Sequence, residues 1–166
     1  MSVGSTPPLG IVCGVVVVGE VLILRGLPGC GKTYFARQAR AGRSVLVVSA
    51  DDFFVHGSEY RFNPGLLGDA HADCFRRFVE TALATEYAAD VLIVDNTNVR
   101  LWEISPYVAV ANAFEIPYQI IHIRCSVEVA AARNVHSVPA SHLKRMVARF
   151  ERPLPHWNVV EIDAEV

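Results

Sequence analysis

The chain has 166 residues, with 15 lysines and arginines against 17 aspartates and glutamates, and 52% of its residues are hydrophobic. These values exclude intrinsic disorder, which requires low hydrophobicity and high net charge. The net charge of −2 excludes a general attraction to nucleic acid or anionic membranes, since such attraction needs an excess of Lys and Arg. The length is too short for two ordinary domains, so we expect one domain over residues 1–166.

The N-terminal part contains an apolar run from Ile11 to Val18. Residues 1–10 carry no Lys or Arg and Glu20 follows the run, which is unlike a signal peptide or a membrane span. We therefore expect residues 1–20 to form an extension or an additional strand, and we expect no membrane partner. The four cysteines lack CxxC spacing, which predicts reduced thiols and a cytoplasmic location, with the nucleus left open.

Short β-branched segments alternate with longer segments of helical periodicity along the rest of the chain. This alternation is typical of a parallel sheet flanked by helices. The predicted strands are 21–25, 44–49, 91–95, 118–123 and 159–162. The predicted helices are 32–41, 64–83, 101–114, 127–134 and 139–150. Asn63 is a candidate N-cap for the second helix, and Pro106 predicts a break or kink in the third.

A phosphate-binding motif stands between the first predicted strand and the first predicted helix. It is a complete GxxxxGK[ST] pattern, formed by Gly26, Leu27, Pro28, Gly29, Cys30, Gly31, Lys32 and Thr33. Its glycines let backbone N–H groups converge on phosphate oxygens, and the following helix adds a positive dipole. We expect the eight residues to bind ATP, with Lys32 on the β- and γ-phosphates and Thr33 on Mg²⁺.

Three aspartates follow predicted strands. Asp51 and Asp52 come after the second strand, and Asp95 ends the third. The carboxyl ends of parallel strands share one edge of the sheet with the phosphate-binding loop. One carboxylate there can take the proton of an acceptor hydroxyl, and another can hold Mg²⁺ directly or through water. A turn or a helix cap is the alternative for Asp51 and Asp52.

Further segments give the chain a resemblance to a known family. They are Phe35-Ala36-Arg37, Ser49-Ala50-Asp51-Asp52-Phe53-Phe54, Tyr60-Arg61-Phe62-Asn63-Pro64, Ala70-His71 with Cys74, Val94-Asp95-Asn96-Thr97-Asn98, Trp102-Glu103, Pro106-Tyr107-Val108, and Arg133-Asn134-Val135-His136 with Val138-Pro139. Over residues 21–152 this combination resembles the polynucleotide-kinase-type P-loop kinases. It is most similar to the kinase domain of the animal Nedd4-binding protein family, and it also resembles phage 5′-hydroxyl polynucleotide kinase.

The resemblance implies an α/β fold of the three-layer P-loop NTPase type, with a parallel five-stranded sheet in the order 2-3-1-4-5 and a helical lid at about residues 133–152. It also implies transfer of the ATP γ-phosphoryl group to a 5′-hydroxyl end of RNA or DNA. In that reaction Asp51 is the general base, while Lys32 and Arg133 stabilise the transferred group. Thr33 and Asp95 then organise Mg²⁺.

The residues themselves do not identify the acceptor. Phe53 and Phe54 stand where phage-type kinases have an arginine that helps to hold the acceptor; with Tyr60 they can stack on a base or pack in the core. Residues 133–152 carry five basic residues and one acidic residue, which suits a nucleic-acid backbone, an ATP clamp or a solvated helix face. A small-molecule kinase and a non-catalytic ATP-binding module are the alternative functions.

Overall fold

The structure, a computed structural model, describes residues 11–12, 15–16, 18–84, 89–134 and 138–164. Its main sheet consists of five parallel strands, β1 (Glu20–Arg25), β2 (Val45–Val48), β3 (Val91–Asp95), β4 (Tyr118–Arg124) and β5 (Val159–Asp163). They lie in the order β2-β3-β1-β4-β5, which confirms the predicted order 2-3-1-4-5. The strand that leads into the phosphate-binding motif is therefore central and has a partner on each side.

In the described part of the chain, five α-helices connect or flank these strands. They are α1 (Lys32–Gln38), α2 (Leu67–Ala82), α3 (Leu101–Ala113), α4 (Val127–Arg133) and α5 (Ala140–Arg149). The first helix ends before the predicted residue 41, because the chain turns back toward β2 at Gly42, whose φ of 72° suits glycine. Asn63 caps a short 3₁₀ turn, Pro64–Leu66, that leads into α2; its side chain accepts a hydrogen bond from the Gly65 N–H at 2.9 Å.

Of the break or kink predicted at Pro106, the break is absent, since α3 runs through the proline from Leu101 to Ala113. Proline removes one helical N–H donor, so it weakens a helix at one bond. Ile104, two residues before the proline, and Tyr107, directly after it, are buried in the core. Burial of this face therefore holds the helix together across the lost bond.

The helices cover both faces of the sheet and produce two apolar layers. Val21 and Ile23 of β1 belong to the layer under α2 and α3, whereas Leu22 and Leu24 belong to the layer under α1, α4 and α5. The alternation follows from the two-residue period of a strand. The three-layer architecture expected from the sequence is therefore present, with the phosphate-binding motif on the α1 side.

The N-terminal run takes part only locally in strand pairing. Two short strands, Ile11–Val12 and Val15–Val16, pair with each other in an antiparallel ladder that is separate from the main sheet. Val18 is 1% exposed and anchors the start of β1 in the core. Residues 1–10 and 135–137, the latter within the expected lid, lie outside the described residues. Within the described ranges, no helix is long and apolar enough to cross a membrane.

Candidate active site

Residues 26–33 form a loop from the end of β1 to the first turn of α1, and two glycines there have conformations that other residues rarely adopt. Gly31 precedes α1 with a φ of 100°, and Gly29 has a φ of 84°. A Cβ on Gly29 would lie 3.1 Å from the backbone nitrogen of Asn134 and even nearer the carbonyl oxygen of Ala130. The loop backbone thus approaches the end of α4 closely, in the left-handed conformations typical of anion-binding loops.

The ammonium group of Lys32 lies over this loop. Its Nζ donates hydrogen bonds to the carbonyl oxygens of Gly26 at 3.0 Å and Leu27 at 2.9 Å, and the residue is only 9% exposed. Beneath it, burial raises the pKa of the Cys30 thiol, although the Lys32 charge acts in the opposite direction. The loop therefore presents one nearly buried cation above a neutral thiol, which favours an anionic ligand.

Thr33 and Asp95 meet across the carboxyl edge of the sheet. The Thr33 hydroxyl donates to Oδ2 of Asp95 at 3.1 Å. Burial raises the pKa of Asp95, the Lys32 charge and the Thr33 hydrogen bond lower it, and the charges of Asp51 and Asp52 raise it further. These five groups thus form one electrostatic cluster. A hydroxyl beside a carboxylate fits Mg²⁺, which usually keeps several waters and takes few protein ligands.

Asp51 and Asp52 lie on a 3₁₀ turn, Ala50–Phe54, and have different surroundings. Oδ2 of Asp52 accepts the Ser49 backbone N–H at 3.1 Å and forms an ion pair with Arg77 at 2.9 Å. Asp52 is therefore a helix cap, which is the alternative that the sequence left open. Asp51 is exposed, and its Oδ1 accepts a hydrogen bond from the Tyr60 hydroxyl at 3.2 Å.

Tyr60 is affected in turn by this contact. Burial, followed by the negative charge of Asp51 and the hydrogen bond to it, raises the pKa of Tyr60 to about 12. The tyrosine therefore remains a neutral hydroxyl donor to the carboxylate at physiological pH. Asp51 is consequently held by one neutral donor and has no backbone cap of its own among its described contacts.

Arg77 of α2 is a site residue that the sequence analysis missed. Its guanidinium donates to the Ser49 carbonyl at 2.7 Å, to Asp52 at 2.9 Å and to Asp73 at 2.8 Å. It thereby fastens the Ala50–Phe54 turn to α2. Arg77 stands 25 residues after Asp52, and no local pattern marks it, so only packing of α2 beside β2 reveals this contact.

Arg25, the residue before the loop, is also absent from the sequence-based site. It is 1% exposed, and its Nη2 donates to the carbonyl oxygens of Val99 at 3.1 Å and Glu151 at 2.5 Å. Its guanidinium lies 4.8 Å from the ring centre of Phe150. Arg25 therefore joins the end of β1 to the segment that follows α5 and to the loop after β3.

The asparagines after β3 hold the same edge together. Oδ1 of Asn96 accepts the Ala50 N–H at 2.9 Å, and the Asn98 amide donates to the Leu24 carbonyl at 2.7 Å. The Thr97 carbonyl accepts the Gly26 N–H at 3.1 Å. These contacts fix the loop after β3 against both the 3₁₀ turn and the start of the phosphate-binding loop.

The other candidate residues from the sequence analysis, which are aromatic or basic, differ in their burial and in their contacts. Phe54 is 1% exposed and Phe53 packs against the core, so the stacking interpretation is wrong for Phe54.

Arg133 ends α4 beside the loop, and its Nη1 donates to the Ala164 carbonyl at 3.0 Å. The basic residues of α5 that the sequence singled out are exposed; they are Lys144, Arg145 and Arg149. Lys32, Thr33, Asp51 and Asp95 thus cluster, whereas the guanidinium of Arg133 contacts the C-terminal segment.

Comparison with known proteins agrees with this architecture. The AAA domain family AAA_33 matches residues 21–153. Human NEDD4-binding protein 2 is 34% identical over 143 residues, which cover 81% of this chain and 8% of that protein. The chain therefore spans only a small part of the length of this curated relative.

Solved structures with similar folds are more distant in sequence. Kti12 from Chaetomium thermophilum, in complex with ADP-AlF3, has a TM-score of 0.64 at 17% identity, covering 88% of this chain and 90% of that one. A gluconokinase from Sinorhizobium meliloti 1021 has a TM-score of 0.61 at 15% identity, covering 90% and 85%. The Mycobacterium tuberculosis APS kinase, in complex with AMPPNP and APS, has a TM-score of 0.62 at 14% identity, covering 90% and 91%.

Structural similarity at such low sequence identity establishes the fold alone, whereas the family match covers most of the chain. The chain belongs to the AAA domain family and has the fold of the P-loop kinases.

Proposed function

We propose that the chain transfers the γ-phosphoryl group of ATP to the 5′-hydroxyl end of a nucleic acid. The observation that carries the proposal is the exposed carboxylate of Asp51. Its negative charge raises the pKa of Asp95, whereas the Lys32 charge and the Thr33 hydrogen bond lower that pKa. A candidate base, a phosphate-binding cation and a hydroxyl–carboxylate pair therefore follow strands of one parallel sheet, as one phosphoryl-transfer reaction requires.

In the proposed reaction Asp51 accepts the proton of the acceptor hydroxyl, and the freed oxygen attacks the γ-phosphorus. The bond from that phosphorus to the β–γ bridging oxygen breaks, and ADP leaves with the bonding electrons. Lys32 neutralises charge on the phosphates, and Arg133 does so after its guanidinium leaves the Ala164 carbonyl. Thr33 and Asp95 would hold Mg²⁺, which supplies further charge neutralisation when it is bound.

The choice of a nucleic-acid acceptor rests on the motifs shared with polynucleotide-kinase-type enzymes and on the basic face of α5. Lys144, Arg145 and Arg149 are exposed there and can contact phosphates. A small-molecule acceptor is the second candidate, because two of the kinases with this fold are described as a gluconokinase and a sugar kinase. The chain's net charge of −2 also suits a small acceptor.

The experiment measures transfer of labelled γ-phosphate from ATP to 5′-hydroxyl RNA and DNA oligonucleotides. Asp51→Asn should lower kcat by roughly 10²–10⁴-fold with ATP binding retained, as loss of a general base predicts. Lys32→Ala should weaken ATP binding as well. Asp163→Asn, an aspartate on β5, is the matched control and should retain wild-type kcat.

The outcomes separate the two acceptors. Labelled oligonucleotide from wild-type protein, with acceptor binding that weakens steeply as salt rises, supports the proposal. Labelled sugar or polyol without labelled oligonucleotide replaces it with the small-molecule alternative. ATP binding without transfer to either acceptor points to a binding module, and full activity in Asp51→Asn contradicts the role of that carboxylate.

A further inference from the structure

Three aromatic side chains, two in the segment after the Asp51 turn and one in α3, are exposed to solvent, and the proposed chemistry assigns them no contact with the acceptor. Tyr60 is 43% exposed, Phe62 is 53% exposed, and Trp102 in the first turn of α3 is 62% exposed. All three come from segments that carry the family resemblance. Exposed apolar groups that gather around a reaction site mark a surface for a ligand or a partner.

One part of this surface directly adjoins the carboxylate. Phe54 is buried, and its ring makes edge contacts with Tyr60 at 6.3 Å and with Phe62 at 5.1 Å between ring centres. The Tyr60 hydroxyl donates to Asp51. The two exposed rings are therefore oriented by a fixed core side chain, and one of them is tied to the proposed base.

The other part lies at the start of α2 and α3. The His71 ring stands 6.0 Å from the Trp102 ring in an edge-to-face arrangement. Further along α2, Arg77 is bonded to Asp52 and Ser49, six residues after His71. Six helical residues span about 9 Å along the helix axis, which is the length of two or three stacked bases at about 3.4 Å per base.

A charged group accompanies the aromatic residues. Arg61 stands between Tyr60 and Phe62, its side chain is 70% exposed, and its ion pair is with the neighbouring Glu59. Such exposed pairs are weak and exchange readily. The segment Tyr60-Arg61-Phe62 therefore offers a guanidinium for a phosphate next to two rings in the sequence, which is the alternation typical of surfaces that bind single strands.

We infer that Phe62 and Trp102 stack on bases at the 5′ end of a single-stranded nucleic acid and so align its terminal hydroxyl with Asp51. The inference rests on the proposed function and specifies how it recognises its acceptor. Two ring platforms on separate elements match an acceptor with more than one base. A small hydroxyl compound would occupy one platform at most, and stacking on rings tolerates any base sequence.

Tryptophan fluorescence tests the contact without relying on catalysis. The chain has two tryptophans, of which Trp157 is 8% exposed and Trp102 is 62% exposed. A single-stranded 5′-hydroxyl oligonucleotide should therefore quench emission mainly from Trp102. The same oligonucleotide with abasic sites at its first three positions should quench it several-fold less, and Trp102→Phe should abolish the base-dependent part of the signal.

Acceptor kinetics provide the second readout. Trp102→Leu and Phe62→Leu should each raise the KM for the oligonucleotide by roughly 5- to 150-fold, the range that loss of one base stack predicts, and leave the KM for ATP unchanged. Trp102→Phe should restore most of the acceptor affinity. Val160→Ala, which removes an exposed side chain on β5, is the control and should retain wild-type values.

The two readouts distinguish failure of this inference from failure of the proposed function. Equal quenching by normal and abasic strands, or wild-type acceptor KM in both leucine variants of an active kinase, overturns the stacking surface alone. Base-dependent quenching without phosphorylation of any oligonucleotide supports the surface and overturns the kinase reaction. Absence of both quenching and phosphorylation overturns both proposals.

Discussion

Replacing Arg77 with methionine should both destabilise the protein and impair phosphoryl transfer. Methionine keeps an apolar stem of similar length but removes the guanidinium that joins α2 to the turn carrying Asp51. That guanidinium donates to the Ser49 carbonyl, to Asp52 and to Asp73. The turn would then lose its attachment to α2 while its sequence stays intact.

The size of the effect follows from the exposure of each partner. The bond to the partly buried Ser49 carbonyl contributes about 1 kcal/mol. The pair with Asp73, a helical neighbour, and the pair with Asp52, whose side chain is 53% exposed, contribute about 0.5 kcal/mol each. The expected loss is therefore about 2 kcal/mol, which corresponds to a fall in Tm of roughly 4–8 °C for a chain of this length.

The neighbouring arginine provides the matched control. Arg76 is bonded to Asp73 and Glu80 on the outer surface of α2, and none of these bonds reaches the turn, so Arg76→Met should lower Tm less than Arg77→Met does and should leave kcat close to the wild-type value. Thermal unfolding measures stability, and phosphate transfer to an oligonucleotide measures kcat. Because small displacements of a base are costly, Arg77→Met should lower kcat by about tenfold or more. Equal Tm and kcat in the two variants would refute the role of Arg77.

Other predictions concern Asp95, Gly29 and Phe78. Folding raises the pKa of Asp95, mainly through burial. The contribution of this carboxyl group to the free energy of unfolding is therefore fully present below the unfolded pKa of about 3.9. It is lost as the pH rises through the folded pKa. Without Mg²⁺, Asp95→Asn should unfold at a higher temperature than wild type at pH 7, with the gap closing in acid; a gap that stays constant with pH would contradict this. Gly29→Ala should abolish ATP binding in calorimetry, because the φ of Gly29 is 84° and the Ala130 carbonyl blocks a Cβ there. Gly68→Ala is the control and should bind ATP normally, since a Cβ at Gly68 meets nothing within 4 Å. ATP binding by both variants would argue against the loop geometry. Phe78→Ala, at a fully buried position, should lower the free energy of unfolding in urea by about 3–5 kcal/mol, and a loss under about 1 kcal/mol would be inconsistent with a close-packed core.

Local sequence patterns predicted most of the fold and the nucleotide-binding half of the candidate site. The strand over 91–95 was predicted to the residue, since an apolar run ending in Asp marks a buried parallel strand at its carboxyl end. The glycine spacing of residues 26–33 likewise predicted a loop of unusual backbone conformation, and Gly29 and Gly31 have positive φ values there. Both signals depend on residues close together in the chain, so a sequence displays them without knowledge of packing.

The acceptor half depended on contacts between distant segments. Asp51 and Asp52 are adjacent and alike in sequence, yet Asp52 is a cap paired with Arg77 and Asp51 faces Tyr60. The neighbours Phe53 and Phe54 differ in the same way, because the 3₁₀ turn directs Phe54 into the core. Adjacent residues of such a turn point toward different elements, and the composition of the turn does not show which element each side chain contacts.

The sequence by itself therefore determined the positions of the strands, the phosphate-binding loop and the presence of carboxylates at strand ends, because period, glycine placement and strand ends are local properties. The strand order followed from the resemblance to P-loop kinases, since no local pattern records which strands are neighbours. Only the tertiary structure decided which of the two adjacent carboxylates caps a turn and which one contacts Tyr60. It also decided that the Arg133 guanidinium bonds to the Ala164 carbonyl. These outcomes follow from how helices pack on the sheet, which brings together residues separated by 25 or more positions in the chain.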